Sequence, residues 1–305
     1  MRVALDVRPA LSRPTGVGVY IGALATALPR LEPSSQFTLF TSSLRERWRH
    51  PLAGSNVDVV DRHIPVRALN FAWNRLSWPP IETLCGRGFD IVHSPHALLT
   101  PARKAKRIIS IHDLFFFKHQ EMTGAEIRRD YAPLVEGHAR RADGIVCPSE
   151  HTAREVERLL KVPRERICVT PYGLDEAFRP DPEAGQVEAV LRRLDLPRGS
   201  ILYVGSDEPR KNLDGLVRAH AALFARGPGP PLVLVGPHAA RSSQPRTGPR
   251  VISTGYLTTQ EIRCLMSASA CLVLVSFEEG FGFTVIEAMA AGLPVVCSRG
   301  SALSE

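Results

Sequence analysis

Short runs of β-branched and apolar residues alternate with helix-period segments from one end of this chain to the other. A sequence that switches between the two periods in this way builds α/β units with parallel sheets, because each helix carries the chain back to start the next strand alongside. The first half predicts strands at 2–7, 36–40, 57–61, 90–93, 107–112, 144–148 and 166–170, with helices over 18–28, 125–141 and 149–160. Ser149, followed by Thr152, is a suitable N-cap for the third helix. Residues 171–182 are rich in Pro, Gly and acid and predict a linker. The pattern then restarts, with strands at 200–204, 232–235, 250–253, 271–276 and 294–297 and helices at 212–225, 258–268 and 283–291. Two doubly wound, Rossmann-like domains facing a cleft are expected, over 1–175 and 176–305, since 305 residues exceed what one core usually serves. In such sheets ligands bind at the carboxyl ends of the strands.

Composition narrows the class. No apolar run approaches the roughly 18–20 residues that span a bilayer. The opening Met1-Arg2-Val3-Ala4-Leu5-Asp6 places charge where a signal peptide needs an apolar core. The six cysteines are scattered without a C-x-x-C pair, which fits buried thiols in a reducing compartment, so a cytoplasmic location is expected. The net charge of +7 is one-sided: residues 1–180 hold 26 Lys and Arg against 19 Asp and Glu, and residues 181–305 hold 12 of each. Such a half could make peripheral contact with an anionic membrane on its inner face or attract a phosphorylated acceptor, or it could be a solvated Arg-rich surface. Basic residues are not interleaved with aromatics at regular spacing, so no nucleic-acid partner is expected.

The segment from Ser276 to Pro294 concentrates the chemistry. An apolar strand ends at Ser276 and a helix begins near Phe283, with Gly280 and Gly282 in the turn, where a ligand can approach bare backbone. The helix N-terminus presents free N–H groups suited to a phosphate. Glu279 lies in the turn and Glu287 inside the helix, each a bidentate acceptor for vicinal hydroxyls of a hexose or ribose. A plain capped helix with two solvated glutamates accounts for one Gly and one Glu, but not for the whole string. Tyr203 to Asn212 repeats the strand–turn–helix form and sets Arg210 and Lys211 where the loop meets the helix, as two positive charges for a diphosphate.

These stretches, EGFGFTVIEAMAAGLPVV and VGSDEPRKN, resemble the retaining glycosyltransferases of family 4 (glycosyl transferases group 1), which have the GT-B fold. RVALDVRP with TGVGVYIGALATAL, DIVHSPHALLTP, IISIHDLFFF, VTPYGLDEAFRP and GYLTTQEIRCLMSASACLVLVS resemble other parts of the family in the same order. The resemblance implies an N-terminal acceptor domain and a C-terminal nucleotide-sugar donor domain, the latter incomplete because relatives continue past Glu305. It implies that Glu279 contacts the donor sugar and Glu287 the ribose. Lys211, with Arg210 and backbone N–H groups of Gly282, Phe283 and Thr284, would hold the diphosphate. His112 would lie beside the transferred sugar, Gly16 and Gly18 in a loop toward the phosphates, and Gly255 and Tyr256 near the base. Many relatives carry Arg where this chain has Ser206, which leaves the positive charge to Arg210 and Lys211.

The activity so implied moves a hexosyl group, mannosyl or similar, from a nucleoside diphosphate sugar to a glycan or lipid-linked acceptor with retention. No cofactor is expected, nor a metal, as no D-x-D is present. Two rivals are a non-catalytic nucleotide-sugar-binding protein and a GT-B epimerase. His93, His96 and His112 could form a metal set, but no Asp, Glu or Cys completes a familiar spacing, and locally bonded histidines suffice. Gly16-Val17-Gly18 is too short for a dinucleotide fingerprint. The stretch from Asn70 to Trp78, aromatic with basic neighbours, suits either core packing or contact with a membrane or lipid-linked acceptor.

Overall fold

Every strand pair among the described residues of the computed structural model is parallel. The structure describes residues 1–11, 16–52, 54–125, 127–178, 182–237 and 250–305. They divide into two units, Met1–Pro171 and Tyr172–Glu305. In the first, β1 (Arg2–Asp6), β2 (Gln36–Ser42), β3 (Val57–Arg62), β4 (Ile91–Ser94), β5 (Lys106–Ser110), β6 (Gly144–Cys147) and β7 (Ile167–Val169) form one sheet in the order β3-β2-β1-β4-β5-β6-β7. In the second, β8 (Ile201–Val204), β9 (Leu232–Val235), β10 (Val251–Gly255), β11 (Cys271–Leu274) and β12 (Val295–Cys297) are ordered β10-β9-β8-β11-β12. The strand order reverses direction between β1 and β4, and again between β8 and β11. These are the switch points at which such sheets open a crevice.

Ten α-helices lie among the described residues: α1 (Gly16–Leu31), α2 (Val66–Phe71), α3 (Ile81–Cys85), α4 (Phe115–Lys118), α5 (Ala132–Arg141), α6 (Glu150–Leu160), α7 (Ala184–Leu194), α8 (Leu213–Phe224), α9 (Thr259–Ala268) and α10 (Phe283–Ala290). The Ser149 side chain accepts from the Thr152 N–H at the start of α6, as its sequence predicts. A reciprocal capping box between Thr258 and Glu261 opens α9. Sheets buried on both faces favour unbroken apolar strands, and all four residues of β9 are buried. Three apolar clusters fill the first unit, centred on Leu5, Ile21 and Leu39, on Phe40, Trp73 and Val92, and on Ile109, Val135 and Val156. A single cluster, including Leu202, Leu234 and Leu272, fills the second.

Three expectations change. The first helix begins at Gly16, so Gly16 and Gly18 occupy its first turn and not a loop. The single helix expected over 125–141 is a π-turn, Ile127–Tyr131, followed by α5. Within the expected linker a 3₁₀ turn forms at Glu176–Phe178, and Phe178 is buried in the core of the second unit; residues 179–181 of that linker lie outside the described residues. No helix among the described residues is long and apolar enough to cross a membrane.

At the first switch point the carboxylate of Asp6 is fully buried. It accepts from Arg8 Nε at 2.8 Å and Nη2 at 2.7 Å, from His96 Nε2 at 3.1 Å and from Thr100 Oγ1 at 3.3 Å. The Leu98 N–H donates to His96 Nδ1, so the proton of this imidazole sits on Nε2, facing Asp6. Burial opposes ionisation of Asp6, but Arg8 and then His96 outweigh it and hold the carboxyl well below the usual range. Arg8 also stacks 4.3 Å over the Trp73 ring and donates to Asn70. One carboxylate thus ties the end of β1 to the loop after β4 and to α2. Replacing Asp6 by Ala leaves the Arg8 guanidinium, 8% exposed, without its counter-charge. The expected loss of unfolding free energy in urea is about 3–5 kcal/mol; a loss below about 1 kcal/mol would show that the network carries no stability.

Candidate active site

In the second unit β8 runs out at Val204, and the chain turns through residues 205–208 into a 3₁₀ turn, Pro209–Lys211. Asn212 then adopts a left-handed conformation (φ 51°) before α8, and its side-chain amide donates to the Val275 carbonyl at 3.2 Å. The Phe277 N–H donates to the Arg210 carbonyl at 2.7 Å. The loop after β8 is therefore stitched to the loop after β11, on the next strand of the sheet.

Glu279 sits where the two loops meet. Its carboxylate accepts from Lys211 Nζ at 2.5 Å, Arg210 Nη1 at 3.0 Å and Ser276 Oγ at 2.7 Å. Burial resists its ionisation, yet Lys211 and Arg210 prevail and hold it below the usual carboxylate range. For Lys211, burial and the like charge of Arg210 lower the ammonium's pKa, while Glu279 opposes that drop. Arg210 is shared with Glu208, whose Oε2 accepts from Nε at 2.8 Å; the Ser206 hydroxyl donates to the other oxygen of Glu208. The sequence suggests two cations free for a ligand. In the structure both are engaged, because a carboxylate removed from water at this point requires them.

The glycines have separate reasons. Gly282 precedes α10 with φ +96°, a backbone conformation that demands glycine; a Cβ there would also lie 2.5 Å from the terminal methyl Cδ2 of Leu303, a contact that a shift of that side chain relieves. Gly280 lies in the preceding turn. The first-turn N–H groups of α10, at Phe283 and Thr284, have no acceptor within their own helix. Phe283 stacks on Tyr172 at 4.6 Å between ring centroids and 10° between planes, and Phe281 meets the same ring edge-on at 4.8 Å.

Glu287, one turn into α10, behaves unlike Glu279. Burial raises its carboxyl to a pKa of about 7, helped by the charge of Asp175. Gly255 (φ +73°) closes β10, and Tyr256 after it is exposed. Arg210, Lys211, Glu279 and Tyr256 follow the carboxyl ends of strands of this sheet, and Gly255 is the last residue of β10.

In the first unit the expected residues lie at the ends of β4 and β5 and in α1. His112 Nε2 donates to the Pro95 carbonyl at 3.0 Å, and its ring meets Tyr20 edge-on at 5.1 Å. The Tyr20 hydroxyl lies 3.4 Å from Ser110 Oγ, which lies 3.0 Å from His93 Nε2. Burial lowers His112 and takes His93 down to about 3, so both are neutral near pH 7. His93, His96 and His112 each have a different partner. Among the described residues no group of three or more His, Cys, Asp or Glu is placed to hold a metal ion.

Ser276, Glu208, Tyr172 and Tyr20 escape a reading of the sequence. Tyr172 leaves a faint signal, an aromatic ring inside a Pro/Gly linker. The other three are ordinary residues until strand ends bring them to a charge or a ring.

Residues 14–178 match the model of Glycosyltransferase Family 4, and residues 198–305 that of Glycosyl transferases group 1. O-antigen chain mannosyltransferase B of Escherichia coli is 30% identical over 224 residues, covering 70% of this chain and 58% of that protein. The chain thus spans less than two thirds of that relative's length. Among solved structures, sucrose-phosphate synthase from Thermosynechococcus elongatus is similar with a TM-score of 0.74 at 20% identity, over 99% of this chain and 82% of that one. Anabaena HepE in complex with UDP-glucose is similar with a TM-score of 0.67 at 15% identity, over 100% and 82%. At these identities the likeness is one of fold, and it is the GT-B fold that the sequence implies.

The Glu287 carboxyl yields a pH prediction. Its folded pKa of about 7 lies above the ordinary 4.5, so the folded state holds a proton that the unfolded state releases. Its contribution to stability therefore falls as pH rises from 4.5 to 7, by at most about 3 kcal/mol. Thermal melts should show Glu287→Gln gaining on the unsubstituted protein between pH 5 and pH 8. Parallel curves across that range would remove the assignment.

Proposed function

This chain belongs to glycosyltransferase family 4, and on that footing we propose that it transfers a hexosyl group from a nucleoside diphosphate sugar to a glycan or lipid-linked acceptor. A mannosyl group is the form we favour, because the E. coli relative is named a mannosyltransferase. We read the transfer as retaining and independent of a metal ion. The observation that carries the proposal is the cluster of Lys211, Arg210 and Glu279 at a switch point. The two cations are fixed in place before any donor arrives, so little reorganisation is needed when charge develops on the departing diphosphate. Preorganised cations at that position can do the work that a metal does elsewhere.

In this reading the diphosphate lies along Lys211, Arg210 and the first-turn N–H groups of α10 from Gly282 to Thr284. Gly280 and Gly282 leave the backbone bare for that approach. Glu279 accepts from hydroxyls of the donor sugar, and Glu287 from the ribose; a carboxyl with a pKa near 7 can serve that contact ionised or protonated. Gly255 and Tyr256 lie toward the base. From the first unit, His112 contacts the transferred sugar as a neutral imidazole, and the first turn of α1, with Gly16 and Gly18, supplies N–H groups toward the phosphates. The UDP-glucose bound to HepE supports a nucleotide-sugar donor for this fold. Residues 1–171 then serve the acceptor and 172–305 the donor.

Calorimetry with a nucleoside diphosphate and with the matching nucleoside separates the phosphate contacts from the rest. Lys211→Ala should weaken the diphosphate by about tenfold to a hundredfold, the scale of one or two charge-assisted bonds, and leave the nucleoside unchanged. Equal losses for both ligands would move Lys211 out of the phosphate site. With labelled nucleotide sugars and a glycan acceptor, transfer is the expected outcome. Binding without transfer or hydrolysis would mark a non-catalytic binder, and an altered nucleotide sugar formed without acceptor would mark an epimerase.

A further inference from the structure

A chain of side-chain contacts runs from the core of the second unit to Arg210, and Glu208 is its last link. Tyr203, wholly buried on β8, donates its hydroxyl proton to the Ser206 carbonyl at 2.9 Å. The Gly205 N–H donates to the Val235 carbonyl on β9 at 3.0 Å. These two bonds hold the backbone of residues 205 and 206 against the sheet. The Ser206 hydroxyl then donates to Glu208 Oε1 at 2.6 Å, and Arg210 Nε donates to Glu208 Oε2 at 2.8 Å. The Lys211 N–H returns to the Glu208 carbonyl at 2.9 Å and closes the 3₁₀ turn on Pro209. Each carboxylate oxygen of Glu208 therefore has its own donor, one from each side in the chain.

Glu208 and Glu279 stand differently toward water. The Glu279 side chain is 6% exposed and requires its cations, whereas that of Glu208 is 44% exposed and could be solvated without them. An ion pair open to water contributes little to stability, so the fold has small need of this one. Partial burial opposes ionisation of Glu208, but Arg210 and then Ser206 outweigh it and hold the carboxyl below its usual range. What the contact does supply is geometry. A guanidinium is a planar fork of donors, and one bond leaves its plane to swing. Arg210 is held at two nitrogens, Nε by Glu208 and Nη1 by Glu279 at 3.0 Å, which fixes that plane.

We propose that Glu208, itself oriented by Ser206, is a positioning residue that sets the plane of the Arg210 guanidinium for the donor's diphosphate. The assignment rests on the donor-site reading in which Arg210 holds that group. Removing Glu208 leaves both cations in the site, so a diphosphate still binds. The guanidinium then meets the charge developing on the departing diphosphate out of line, and the loss falls on the chemical step. Ser206 touches neither cation and acts only through Glu208.

Calorimetry with UDP, GDP, ADP and dTDP selects the nucleotide, and its release from mannose and glucose conjugates gives kcat. Glu208→Ala should lower kcat about tenfold, the scale of a group displaced by a fraction of an ångström, and leave nucleotide affinity within about threefold of the parent. Glu208→Gln, whose amide oxygen still accepts from Nε, should recover most of that loss. Ser206→Ala should cost about threefold, and joining it to Glu208→Ala should cost nothing more, because the two residues act as one unit. The Nε–H resonance of Arg210, identified by its absence in Arg210→Lys, should exchange slowly with water in the parent and in Glu208→Gln and fast in Glu208→Ala. Parent-like exchange or parent-like kcat in Glu208→Ala, a loss of affinity with kcat unchanged, or additive losses in the double variant would each overturn the assignment. A structural Glu208 would instead lower the melting temperature and spare the split between kcat and affinity. Arg210→Ala separates the two levels: unchanged nucleotide affinity there removes Arg210 from the diphosphate site, while weakened affinity beside a parent-like Glu208→Ala removes Glu208 alone.

Discussion

A carboxylate taken out of water must be given charge in return, and in the second unit that requirement organises the strand ends. Glu279 is 5% exposed. Lys211, Arg210 and Ser276 converge on it, and their convergence forces the loops after β8 and β11 to fold as one object. The backbone bond between Phe277 and Arg210 and the side-chain bond from Asn212 close the same seam. The first unit follows the same rule with Asp6, which gathers Arg8, His96 and Thr100 between β1 and the loop after β4. Both carboxylates stand at the point where their sheet reverses direction, which is where a crevice and its desolvated groups are found together.

This arrangement bears on how a donor would be received. The cations assigned to a diphosphate already have a partner, so an incoming anion competes with Glu279 or shares its cations. Sharing is favoured by the number of donors present: an ammonium and a guanidinium together offer more N–H groups than one carboxylate can accept. Glu287, eight residues further on, has no such company. It is held near neutrality by burial and by Asp175. Two glutamates of one loop-and-helix unit therefore differ in how readily they ionise for a purely environmental reason, which suits different duties for them.

Away from the strand ends, α2 and the π-turn illustrate a balance of a different kind. Trp73 is consumed by the core and by Arg8, while Trp78 five residues later is left in solvent. Trp73 lies inside the π-turn, whereas Trp78 lies past its end, after Ser77 takes the chain out of the turn in a left-handed conformation (φ 50°), and its ring stays in solvent.

The α/β class, the parallel sheets, most strand and helix positions and the glutamate motif were legible in the sequence, because each depends on local periodicity or on residues close together in the chain. Apolar runs of four or five residues mark strands wherever they are buried, and Gly282 and Pro294 punctuate α10 by their own backbone limits. The start of α1 differs from the sequence expectation because glycines read as loop residues, although the first turn of a helix tolerates them. The short helices α2, α3 and α4 carry too few turns to show a period. What the sequence could not supply was pairing. Lys211 and Glu279 are 68 residues apart, and only the sheet, by setting β8 beside β11, makes them neighbours. The same holds for Asp6 with His96, for Tyr20 with Ser110, and for how readily Glu279 and Glu287 ionise. Chain-local patterns record which residue types are present and how they are spaced. Desolvation and charge pairing act through space, so the tertiary structure alone decides how readily a carboxylate ionises and which cation it holds.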